Sequence, residues 1–132
     1  MKINNKGFSL VELLAVIGII GILSGLATVA YTQYLSKARN QAFDNLFTNM
    51  RVGAEQYMIQ NNMYLDNLTL SAKELLDDGH LNEMQDPFNK NVECDYNNSK
   101  VVMTEISTTG LKKYQYVVTI KCPSGEETRT VK

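Results

Sequence analysis

The chain of 132 residues has no tryptophan, one histidine, two prolines and two cysteines. Both prolines, Pro87 and Pro123, lie in the second half, so nothing in the first half forces a helix to break. The lone histidine, His80, follows the end of a short helical pattern and reads as an ordinary side chain rather than a ligand or a base. No G-x-x-x-x-G-K-S/T loop, H-E-x-x-H helix or G-x-S-x-G elbow occurs, and no loop has the EF-hand spacing. Asp77-Asp78 and Glu126-Glu127 read as solvated surface, not as an acid–base pair. The sequence therefore points away from an enzyme and implies no metal and no cofactor. Charge of either sign is not in excess. The net charge is -1, and beyond Leu35 there are 11 Lys and Arg against 13 Asp and Glu. That balance leaves no electrostatic footprint for nucleic acid. The local exception is Lys112-Lys113, grouped on paper with Lys121.

What the chain does have is a charge-free run from Leu13 to Leu35, 23 residues long. As a helix it spans about 34 Å, against a bilayer hydrocarbon core of about 30 Å. Lys2 and Lys6 precede it and favour a cytoplasmic N-terminus. The run is too long for the apolar core of a cleaved secretory signal, and no clear A-x-A site follows it. Gly18, Gly21 and Gly25 punctuate it, the last two as G-x-x-x-G. Small residues at this spacing let helices approach closely in lipid. Glu12 stands at the lip of the run. A charge at the middle of a membrane helix costs about 2.5–3.5 kcal/mol, and less near the interface, so this carboxylate is expected to have a task.

Gly7-Phe8-Ser9-Leu10-Val11-Glu12-Leu13-Leu14, after a short basic leader, resembles the class III signal of type IV pilins and pseudopilins. The resemblance implies that a prepilin peptidase cuts between Gly7 and Phe8 on the cytoplasmic side. The same enzyme would methylate the new N-terminus at Phe8. Glu12 matches the glutamate that lies five residues into mature pilins, and Tyr31 and Tyr34 fall where many pilins carry tyrosines. Val29 stands where many of them carry proline. Once cut, Phe8 would carry an ammonium at neutral pH. The Glu12 of a neighbouring subunit could neutralise it inside an apolar filament core, where an unpaired charge is costly.

After Leu35 the pattern turns amphipathic: Ala38, Ala42, Leu46, Met50, Ala54 and Tyr57-Met58 recur at helical spacing. One helix is expected from about Ser9 to Asn61, ended by Asn61-Asn62. Ser71-Ala72-Lys73-Glu74 fits a capping box and opens a short helix that stops near Asp78-Gly79. Asp86 to Asn91 is a turn-rich loop, similar to the Asp-Pro-aromatic loop before the sheet in many pseudopilins. Strands are expected at about Val92–Tyr96, Lys100–Ser107, Tyr114–Cys122 and Glu127–Val131, turned at Asn97-Asn98 and Thr109-Gly110. Cys94 and Cys122 would join the first of these strands to the third, if oxidised outside the cytoplasm; two reduced, buried thiols are the other reading. The sequons at Asn67 and Asn97 are chance matches in a chain rich in asparagine.

These readings give an α+β fold, pilin-like, in which a long N-terminal helix packs against a small antiparallel sheet of 3–4 strands. Residues 1–7 form a leader, 8–35 a transmembrane and filament-core helix, and 36–132 a globular head. The implied function is a structural subunit of a type IV pilus or pseudopilus. Within that class the alternative is a pseudopilin of a type II secretion or competence system. Outside it stands a membrane-anchored binding module that never polymerises. The implied partners are other pilin copies, the prepilin peptidase, an assembly platform protein with its ATPase, and the membrane before assembly. The implied route runs from a single-pass precursor in the cytoplasmic membrane to an extracellular filament.

Overall fold

A 52-residue helix without proline or cap signals in its interior, α1 (Leu10–Asn61), dominates the secondary structure. The computed structural model describes residues 6–107 and 109–131. Its chain divides into two compact units, Met1–Ala38 and Arg39–Lys132. At its end α1 stops for a local reason. Asn62 takes the left-handed conformation (φ 50°), and the Met63 N–H reaches back to the Met58 carbonyl at 3.1 Å. That is the Schellman pattern, here with asparagine in place of glycine.

In the second unit the elements follow as β1 (Leu68–Ser71), α2 (Ala72–Asp77), β2 (Gln85–Asp86), β3 (Asn89–Glu93), β4 (Lys100–Glu105), β5 (Tyr114–Cys122) and β6 (Gly125–Val131). The main sheet is antiparallel with order β1-β4-β5-β6, and β2 pairs with β3 in a separate ladder. The α+β architecture is therefore the expected one, with two corrections. The strand expected at Val92–Tyr96 lies earlier, at Asn89–Glu93, and does not join the main sheet. Its place beside β4 is taken by β1, which the sequence pattern did not signal.

Alternation explains the core. Along β5, Tyr116, Val118, Ile120 and Cys122 are buried while the residues between them are not. Val101 and Met103 of β4 and Leu70 of β1 join them on that face. Against it packs the stripe Phe43, Phe47, Met50, Ala54 and Met58 of α1. The sequence expectation had Met50, Ala54 and Met58 in this stripe but began it with Ala38, Ala42 and Leu46. The two phenylalanines lead it instead, because they bury far more area than alanine, with Leu46 packed at the margin. Arg129 of β6 fixes the helix to the last strand. It pairs with Asp44 and Glu127 and lies 4.7 Å from the Phe47 ring centroid.

α2 is set by two reciprocal devices. Ser71 and Glu74 form the expected capping box, and Gly79 (φ 77°) closes the other end through His80 N–H to the Leu75 carbonyl, 2.8 Å. This turn presses on α1 at Gly53. A methyl group there would sit 2.5 Å from the His80 carbonyl oxygen, a backbone atom that cannot swing aside. Gly53→Ala is therefore expected to destabilise the head by about 1–3 kcal/mol. A guanidinium titration of the detergent-solubilised chain measures it, and an unchanged midpoint would contradict the close approach.

Candidate functional site: the start of the apolar helix

Gly7 and Phe8 precede the helix and lie outside it, and Phe8 is 85% exposed. Ser9 is the residue that starts it. Its carbonyl accepts the first helical bond from Leu13, 3.2 Å. Its hydroxyl oxygen accepts the Glu12 N–H at 3.2 Å, and Glu12 Oε2 accepts the Ser9 N–H at 2.9 Å. Ser9 and Glu12 thus form a second capping box, satisfying two of the amide groups that a helix start leaves without partners. A carboxylate in the first turn also lies favourably in the field of the helix dipole. Lys6, Gly7, Phe8 and Glu12 together line an open cleft of about 300 Å³. The structure thus brings three of the sequence-selected residues, Gly7, Phe8 and Glu12, to one place. Ser9 was not among the residues selected from sequence. The signal was present all the same, as Ser9-Leu10-Val11-Glu12 is the same S-x-x-E that marked Ser71.

Beyond the cap, every residue from Leu10 to Tyr34 is exposed. The helix is long and apolar enough to cross a membrane, with a mean hydropathy of 2.5 over its most apolar window. Such a surface is far larger than the apolar patches soluble monomers present to water. Three hydroxyls within it are satisfied by the helix itself. Ser24 donates to the Ile20 carbonyl at 2.7 Å, Thr28 to Gly25 at 2.8 Å and Thr32 to Val29 at 2.9 Å. At Val29 the helix continues unbroken. Gly18, Gly21 and Gly25 have open space where a side chain would stand. Among the described residues nothing requires glycine there.

In the head, Cys94 and Cys122 are joined in a disulfide, both buried. The bond links the residue after β3 to the end of β5, across the two ladders rather than within one sheet. A second clamp lies beside it. Asp86, 1% exposed, accepts the Phe88 N–H at 2.9 Å, the Ser124 N–H at 2.9 Å and the Ser124 hydroxyl at 2.8 Å. Burial pushes its carboxyl up, but the bonds from Phe88, Ser124 and Asn89 outweigh it and hold the group below the ordinary carboxylate range. The Asp-Pro-Phe turn is thereby pinned to the β5–β6 hairpin. The basic grouping read from sequence does not survive folding. Lys112 and Lys113 line a cleft with Arg51 and Glu55 at the start of β5. Lys121 stands near the other end of that strand, about 25 Å away.

A glycine, a capped glutamate and an all-round apolar helix follow one another here, in an order that resembles a prepilin-type signal. In agreement, residues 2–28 match the family model described as the prokaryotic N-terminal methylation motif. That motif is characteristic of type IV pilin and pseudopilin precursors, and this chain carries it. No curated protein sequence and no solved structure matches the chain.

Proposed function

We propose that this chain is the precursor of a structural subunit of a type IV pilin-like filament. Residues 1–7 would serve as the leader, 8–35 as the span and filament core, and 36–132 as the outward-facing head. A prepilin peptidase hydrolyses the Gly7–Phe8 bond and methylates the amine it exposes. An assembly platform and its ATPase then lift the subunit from the cytoplasmic membrane into an extracellular polymer of pilin copies. Head-to-tail contacts that do not close produce such open helical arrays.

The observation that carries this reading is Glu12. It stands five residues after Gly7, at the capped start of a helix whose surface is apolar on every side. A plain anchor needs only a side chain that closes the cap there, which glutamine also supplies, whereas a polymer of such helices needs a counter-charge for each new ammonium. The mass of the N-terminal peptide from membranes and from sheared surface material tests the reading. N-methylated Phe8 is the expected first residue. An intact Met1 in both fractions would overturn it.

A further inference from the structure

Phe88 is a large apolar side chain that a pinned turn holds in the open. Its ring lies 6.2 Å from that of the buried Phe43, and the Arg39 guanidinium stands 5.3 Å from its centroid, yet Phe88 is 51% exposed. Asp86 accepts the Phe88 N–H and two bonds from Ser124, so the turn is tied to the β5–β6 hairpin and does not fold the ring away. The strand that follows, β3, is exposed at every residue, Lys90 and Val92 included. The position of this ring follows from the chain. Arg39 is four residues beyond Leu35, the last residue of the charge-free run. Both belong to α1, so helical rise separates them by about 6 Å. The headgroup layer is about 5–8 Å deep on each side of the hydrocarbon core. With the run in a bilayer, Arg39 reaches headgroup level and holds the ring beside it. Aromatic rings and the long stems of cationic side chains are favoured at that level. Glu126 and Glu127 line the small cleft beside the ring, the second of them bonded to Arg129. The neighbourhood thus carries both signs, as zwitterionic headgroups do, and the ring rather than net charge leads the contact.

We propose that the Asp86-Pro87-Phe88 turn is a membrane-docking site. While the chain is held in lipid, Phe88 sits among phospholipid headgroups and Arg39 meets their phosphates, so that the head rests on the bilayer surface in one orientation. The inference rests on the membrane-span part of the reading above and asks nothing of the polymer. Because the turn is already fixed by Asp86, docking orders no further backbone, which keeps its entropic cost low.

The chain has no tryptophan, so Phe88→Trp gives a single indole as reporter. The full-length variant is placed in vesicles of phosphatidylethanolamine and phosphatidylglycerol, diluted so that copies stay apart. Leu111→Trp is the reference. Leu111 is 73% exposed and lies between Ile106 and Lys112, which line a cleft with Arg51. Arg51 is twelve residues beyond Arg39, about 18 Å along the helix. The indole at position 88 is expected to emit to the blue of that at position 111. It should be quenched by nitroxide on lipid headgroups more than by nitroxide at the acyl ends, and be shielded from acrylamide. Equal acrylamide quenching at the two positions, with no quenching by either labelled lipid, would overturn the inference and leave the span intact. Shielding that appears only when copies are crowded would also overturn it, since a second copy would then be what covers the ring. Hydroxyl-radical footprinting of wild type in the same vesicles avoids any dependence on how the variant folds. Phe88 and Tyr64 are comparably open in the chain, at 51% and 46%. Normalised to the chain in denaturant, Phe88 is expected to be oxidised several-fold less than Tyr64, and equal oxidation would overturn the proposal. A chain that carbonate washes from the vesicles would remove the membrane span itself, and the inference with it.

Discussion

Glu12→Lys is expected, on the filament reading, to exclude the subunit from filaments. In mixed expression its incorporation relative to wild type should fall more than about a hundredfold, since leaving one buried charge unpaired costs about 3–5 kcal/mol. Reversal does worse than neutralisation, because it sets two cations against each other in a medium of low dielectric constant. It also puts a cation at the positive end of the helix dipole and ends the cap that now holds Ser9. The head is a separate compact unit, so its disulfide should form as in wild type. The measurement is the tagged variant's share of sheared filaments against its share of the mature membrane pool. Equal shares would show that Glu12 has no part in assembly.

The second large effect is expected in the head. Replacing Cys94 and Cys122 together by alanine should lower its stability by about 3–4 kcal/mol on the chain-entropy account, for a bridge between residues 28 apart. A guanidinium titration of the detergent-solubilised chain reads this as a lower midpoint, and an unchanged midpoint would contradict it. Without the bridge, the β2–β3 ladder depends more heavily on Asp86 and its bonds to Ser124. That clamp responds to acid. Its carboxyl titrates lower in the folded chain than the ordinary 3.8, so its contribution is complete above that range. It is lost as pH falls through the folded value. The double variant should accordingly unfold on acidification at a higher pH than wild type, measurable by circular dichroism across a pH series.

The long helix, the α2 caps and the bounds of β5 were legible because each has a local cause. Periodicity, an S-x-x-E box, Asp78-Gly79 and strict alternation all lie within a few residues of what they determine. β1 was not legible, because four residues carry little pattern and their extended form comes from pairing with β4, far along the chain. β3 was displaced for a related reason. All five of its residues are exposed, so no alternation marks its register, and the turn at Pro87-Phe88 decides where it starts. Gly53 gave no sign of its importance, since the atom that excludes a side chain there belongs to His80. At the helix start the case differs. Glu12 stands out in the sequence for its cost, while Ser9 marks only the approximate start of the helix, although Ser9-Leu10-Val11-Glu12 is as local a signal as the box at Ser71.

The three hydroxyls bonded to their own helix at Ser24, Thr28 and Thr32 bear on how reversible the proposed polymer is. From Leu13 to Ala30, where Ser24 and Thr28 are the polar side chains, the helix has no polar group seeking an outside partner and is nearly indifferent between lipid tails and the apolar flanks of sister helices, because neither gains a hydrophobic driving force over the other. On the filament reading, leaving the bilayer then involves exchange between two dry phases without passage through water. The net free-energy difference is set by close packing and by the charge pair at the helix start. Such a shallow balance lets a motor drive growth with modest work, and the same balance lets subunits drain back into the membrane store when that drive stops.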